Sequence, residues 1–123
     1  MAAILVVDDS AYARRLTRKN LEAAGHRVFE ADGGMAAIES FFLHHPDVVL
    51  LDLTMEDLSG MEVLRKLREM NADARVIVVS ADVQSSTETL VREAGGMAFL
   101  GKPVSAEQLS RAIETALGGS HVE

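Results

Sequence analysis

Asp52 closes the apolar run Val48-Val49-Leu50-Leu51, which reads as a buried strand. A carboxylate at such a place is costly to desolvate unless something compensates it. A second strand-like run, Ala3-Ile4-Leu5-Val6-Val7, ends in two more acids, Asp8 and Asp9. A third, Arg75-Val76-Ile77-Val78-Val79, ends in Ser80, and a fourth, Met97-Ala98-Phe99-Leu100, leads to Lys102-Pro103. If these strands run parallel, every polar terminus falls on one edge of one sheet, the edge where open α/β sheets bind ligands. Three acids meeting there favour a divalent cation. A hydroxyl and a lysine favour an anion such as phosphate.

The elements that must place these residues alternate along the chain. Ser10 is the expected N-cap of a helix running to about residue 24, with Gly25 as its stop. A short strand follows at Arg27–Ala31, then a turn at Asp32-Gly33-Gly34. Met35, Ile38, Phe41 and Phe42 recur at helical spacing before Pro46 and read as core. Residues 53–59 read as a loop, and Gly60 precedes a helix with Met61, Leu64 and Leu67 on one face. Val83, Thr87, Leu90, Val91 and Ala94 mark another helix, ended by Gly95-Gly96. The last helix, about 106–117, presents Leu109, Ala112, Ile113, Ala116 and Leu117 to the core and stops at Gly118-Gly119. Strand and helix thus alternate five times, which implies a parallel sheet with helices on both faces and right-handed crossovers.

Composition sets the bounds. A chain of 123 residues is one domain, expected over 1–119 with 120–123 as a tail. Hydrophobic residues make up 48% and aromatics 4%, so the core is aliphatic. A net charge of −7 argues against nonspecific nucleic-acid binding. The absence of cysteine removes disulfide and thiol chemistry. No apolar stretch approaches the roughly 20 residues of a membrane helix, and the N-terminus lacks a basic n-region. A cytoplasmic protein without membrane insertion is the expectation. The basic residues Arg14, Arg15, Arg18 and Lys19 on the first helix read as a solvated face, or as a docking surface for an acidic partner.

Taken in order, Asp8-Asp9, Asp52, Ser80-Ala81, Phe99 and Lys102-Pro103 resemble a response-regulator receiver domain, of the stand-alone kind typified by the chemotaxis regulators. The resemblance covers essentially the whole chain. It implies a flavodoxin-like, doubly wound five-stranded parallel sheet in the order 2-1-3-4-5. It implies that Asp52 accepts a phosphoryl group from a histidine kinase or phosphotransfer protein. Asp9, Asp52 and the backbone carbonyl of Thr54 would ligate Mg²⁺ directly, and Asp8 mainly through water. Lys102 would supply a point charge to the phosphate and Ser80 a hydroxyl. Movement of Ser80 would let Phe99 swing inward, altering the face built from the fourth helix, fifth strand and fifth helix. Lys102-Pro103 matches a peptide bond that is usually cis in the family. Thr54 and Asp82 match positions that tune phosphate lifetime.

The implied role is two-component signal transduction, with at most slow autodephosphorylation rather than enzymatic turnover. The implied partners are the phosphodonor and a downstream target protein or phosphatase, met by a monomer. Onward transfer in a phosphorelay is the alternative. The chain departs from the family pattern at Glu56, where a proline is common, at Ser59, where an acid is common, and at Phe99, which lacks a tyrosine's hydroxyl. A phosphohydrolase with Asp52 as nucleophile would place a second acid two residues on, where Thr54 stands. A flavin carrier on the same sheet would need a hydroxyl- and glycine-rich phosphate loop, where Asp8-Asp9-Ser10 stands.

Overall fold

The computed structural model of the chain describes residues 2–54 and 58–118. Five strands and five helices alternate: β1 (Ala3–Val7), α1 (Ala11–Ala23), β2 (Arg27–Ala31), α2 (Gly34–His44), β3 (Val48–Asp52), α3 (Gly60–Met70), β4 (Val76–Ser80), α4 (Ser85–Glu93), β5 (Ala98–Gly101) and α5 (Ala106–Gly118). All strand pairs are parallel, in the order β2-β1-β3-β4-β5. Glu56 and the tail from 120 onward lie outside the described residues.

The period-2 pattern of each strand feeds two separate cores. Leu5, Val7, Val49, Leu51, Val76 and Val78 pack with Phe41, Leu64, Leu67 and Val91, under α2, α3 and α4. Ile4, Val6, Val48, Leu50 and Ile77 pack with Leu21, Leu109, Ile113 and Ala116, under α1 and α5. β3 is buried along its whole length because it is central and covered on both faces. Each of its apolar side chains contributes about 1.5–3 kcal/mol by leaving water. That burial offsets the cost of ending the strand on an acid.

Local signals set the helix ends. The Ser10 hydroxyl accepts from the Ala13 N–H and starts α1. Gly25, at φ +92°, supplies the left-handed turn that stops it. Ser59 forms a capping box with Glu62 at the start of α3, which gives the departure at this position a structural reason.

Two readings of apolar residues need correction. Met35 and Phe42 are 63% and 64% exposed, not core. They lie seven residues apart on the outer stripe of α2, while Gly34, Ala37 and Phe41 form its inner one. Val83 precedes α4 and is exposed, as is Leu90; Val91 is the residue α4 buries. Among the described residues, no helix is long and apolar enough to cross a membrane.

Candidate functional site

Parallel strands all point their C-terminal ends at the same edge, so β1, β3, β4 and β5 deliver Asp8-Asp9, Asp52, Ser80 and Lys102 together. Asp52 is buried, Asp8 half-buried and Asp9 exposed, and one carboxylate oxygen of each lies within 4.8 Å of the others. The Lys102 Nζ stands 3.2 Å from Asp52 Oδ2 and 3.9 Å from Asp8 Oδ2. It is therefore a counter-ion to the acids rather than a solvated lysine. Its backbone N–H donates to the Ser80 carbonyl at 2.8 Å, and the Lys102-Pro103 peptide bond is cis.

The second oxygen of Asp52, Oδ1, accepts the Thr54 N–H at 3.1 Å. One bond thus fixes the carboxylate and begins the turn out of β3. Asp8 is held at several atoms: its N–H donates to the Ala31 carbonyl, and its Oδ1 accepts the Ser10 N–H at 2.9 Å. Burial pushes the Asp8 carboxyl above its ordinary range; the Ser10 N–H pulls against this, and the Asp52 charge adds to the rise. Three crowded hard oxygen donors, partly desolvated and short of positive charge, fit a small divalent cation such as Mg²⁺.

Ser80 is buried, and its hydroxyl accepts the Asp82 N–H at 3.0 Å. The Asp82 carboxylate is already committed: Oδ1 accepts from the Gln84 N–H at 3.1 Å and Oδ2 from the Thr87 hydroxyl at 2.8 Å. These bonds, the Gln84 one first, hold its carboxyl below the usual range. They secure the entry to α4, whose N-cap Gln84 makes no side-chain cap of its own. Phe99 is partly buried against the core under α2, α3 and α4.

A groove of about 470 Å³ leads from Asp8, Asp52 and Lys102 along the cleft between α1 and α5, with Tyr12, Leu16 and Leu109 among its walls.

The basic face of α1 divides in two. Arg15 and Lys19 are exposed, whereas Arg14 and Arg18 both bind Glu30 of β2. Glu30 went unnoticed in the sequence. The available signal was an acid on an edge strand beside two arginines four apart on the preceding helix.

Comparison with known proteins agrees with this geometry. The family model for the response regulator receiver domain matches residues 4–114. The chain is 36% identical over 115 residues to the chemotaxis protein CheY of Bacillus subtilis, covering 93% of this chain and 96% of that protein. It is 29% identical over 119 residues to the polar-differentiation response regulator DivK of Brucella ovis, covering 94% and 96%. Among solved structures, a receiver domain protein from Clostridium thermocellum superposes with a TM-score of 0.92 at 30% identity, over 98% of this chain and 97% of that one. Vibrio cholerae CheY4, at 24% identity and a TM-score of 0.91 over 95% and 99%, shares the fold. With sheet order, acid cluster and family match in agreement, the chain belongs to the response regulator receiver domains.

Proposed function

We propose that Asp52 is the phosphoacceptor of this two-component response regulator. The observation that supports this most is the meeting of Asp8, Asp9 and Asp52 within 4.8 Å, with the Lys102 ammonium 3.2 Å from the Asp52 carboxylate. An Asp52 carboxylate oxygen attacks the phosphorus of a phosphohistidine on a histidine kinase or phosphotransfer protein. The P–N bond breaks, the imidazole leaves with its electron pair and takes a proton, and an acyl phosphate remains on Asp52. Asp8, Asp9, Asp52 and the Thr54 carbonyl would hold Mg²⁺, which when bound neutralises charge on the transferring phosphoryl oxygens.

Lys102, now paired to Asp52, exchanges that ion pair for one with the new phosphate dianion. The Ser80 hydroxyl donates to a phosphate oxygen. Both changes reach the β4–α4 loop and β5, because Ser80 Oγ also accepts the Asp82 N–H and Lys102 N–H bonds the Ser80 carbonyl. Phe99 carries the change to the face built from α4, β5 and α5, where a downstream target protein or phosphatase binds a monomer in the cytoplasm. With its carboxylate bonded to Gln84 and Thr87, Asp82 is better placed to hold that loop than to orient water. Thr54 and Asp82, the lifetime-tuning pair, are both exposed. The names of the relatives, a chemotaxis protein and a polar-differentiation response regulator, favour a switch over onward phosphotransfer.

Incubation with Mg²⁺ and acetyl phosphate, followed by intact mass, tests the acceptor. One phosphoryl group on the parent protein and none on Asp52→Asn is expected. No adduct, or an adduct that survives the substitution, would refute it.

A further inference from the structure

We infer that Arg14, braced by Glu30, is a positioning residue for the acid pair: it holds the peptide that joins Asp8 to Asp9, and so aims both carboxylates at Asp52. The inference rests on the metal site proposed above.

Arg14 stands in the first turn of α1, and its side chain is only 16% exposed. Its Nη1–H donates to the Asp8 carbonyl at 2.7 Å, and its Nε–H donates to Glu30 Oε1 at 3.0 Å. The other Glu30 oxygen accepts from Arg18 Nη1 at 2.9 Å, and Arg18 Nε donates to Glu22 at 2.9 Å. Glu30 is thus clamped by two guanidiniums one helical turn apart, which fixes where Arg14 can reach. The planar fork of an arginine suits this task, because two of its donors serve two different acceptors in one rigid geometry.

The Asp8 carbonyl belongs to the peptide unit between the two acids. Holding it sets the direction in which both side chains leave the backbone. The preceding peptide is held as well, since the Asp8 N–H donates to the Ala31 carbonyl at 3.1 Å. Adjacent residues of the edge strand, Glu30 and Ala31, therefore anchor the two peptide units on either side of Asp8, one through Arg14 and one directly. Three carboxylates facing a single lysine still repel one another without a metal ion, and the exposed loop carrying Asp9 is the part free to splay. A clamp on the shared peptide opposes that motion.

The sign of the effect on Mg²⁺ binding separates positioning from plain electrostatics. Arg14 is a cation beside an acid cluster. If only its charge mattered, removing it would tighten Mg²⁺ binding. If it positions the acids, removing it weakens binding. Outer-shell partners of metal ligands typically carry 10- to 100-fold in affinity or activity, and the expected loss here is about tenfold.

The test is calorimetric titration of the full chain with Mg²⁺, for the parent, Arg14→Ala and Arg14→Met. The methionine variant keeps an apolar stem against the strand should the alanine variant fail to fold, and circular dichroism checks both. A dissociation constant raised about tenfold in the folded variant is expected. The Mg²⁺ concentration for half-maximal phosphorylation by acetyl phosphate should rise with it, while the rate at saturating Mg²⁺ stays near that of the parent. Mg²⁺ binding that is unchanged or tighter in a folded variant would overturn the positioning role and leave the metal site standing. A parent protein that takes up no Mg²⁺ would overturn the site itself, and this role with it.

Discussion

The ammonium of Lys102 lies 3.2 Å from Asp52 Oδ2 and 3.9 Å from Asp8 Oδ2, so one lysine bridges the acids of two neighbouring strands, β1 and β3. It occupies the acids' need for positive charge and so competes with a metal. Lys102→Ala should therefore bind Mg²⁺ more tightly than the parent while melting lower without metal. The lysine is 37% exposed, so solvent screening keeps the stability loss to at most about 1 kcal/mol. Calorimetric titration and a thermal melt check both directions. Weaker Mg²⁺ binding in this variant would contradict the counter-ion role.

Metal should stabilise the fold. At ten times its dissociation constant, a ligand specific for the folded state adds about 1.4 kcal/mol. In a domain of this size that is a rise of about 5 °C in Tm. Asp9→Asn should lose most of the rise. A Tm that does not move across millimolar Mg²⁺ at fixed ionic strength would speak against a metal at the acid cluster.

Gly60 opens α3 against the strand that carries Asp52. A Cβ placed there would come within 2.5 Å of the Leu53 Cα and 2.9 Å of the Asp52 carbonyl oxygen. Backbone cannot rotate away as a side chain can, so Gly60→Ala must push α3 and β3 apart. The expected cost is about 1–3 kcal/mol, together with slower phosphorylation if Asp52 is the acceptor, because the Asp52 peptide is displaced. A denaturant melt and the acetyl phosphate assay measure the two. A variant as stable as the parent would show that this contact relaxes freely.

Glu30 gives a pH signature distinct from that of the acid cluster. Its hydrogen bonds to Arg18 and then Arg14 hold its carboxyl below the ordinary value of 4.5. The folded state therefore binds this proton less readily than the unfolded chain. The stabilisation is fully present above about pH 4.5 and is lost as pH falls through the lower, folded value. Glu30→Gln should be less stable than the parent by about 0.5–1 kcal/mol at neutral pH. The gap should close as the pH drops below 4.5. Urea melts of both proteins between pH 7 and pH 3 report it, and a gap constant over that range would exclude ionised Glu30 as its source.

Much of the molecule was legible in the chain itself. The apolar runs ending in Asp8, Asp52 and Ser80 marked strands. Ser10 and Gly25 marked the ends of a helix through local hydrogen bonding and a left-handed turn. Strand–helix alternation then implied a parallel sheet, and parallel strands share one polar edge. These features are local or follow from chain direction, so no long-range contact is needed to read them. What the sequence left open depended on neighbours far along the chain. Helical spacing grouped Met35 and Phe42 with Phe41, and only packing against β1, β2 and α3 decided which stripe of α2 faces inward. Strand direction already placed Lys102 on the acids' edge, but its 3.2 Å contact with Asp52, fifty residues away, exists only once β5 lies beside β4. Arg14 and Glu30 carried no motif. Their meeting across α1 and β2, and the hold this gives on the peptide between two acids, is a property of the fold, because a hydrogen-bond geometry exists only once both elements are in place.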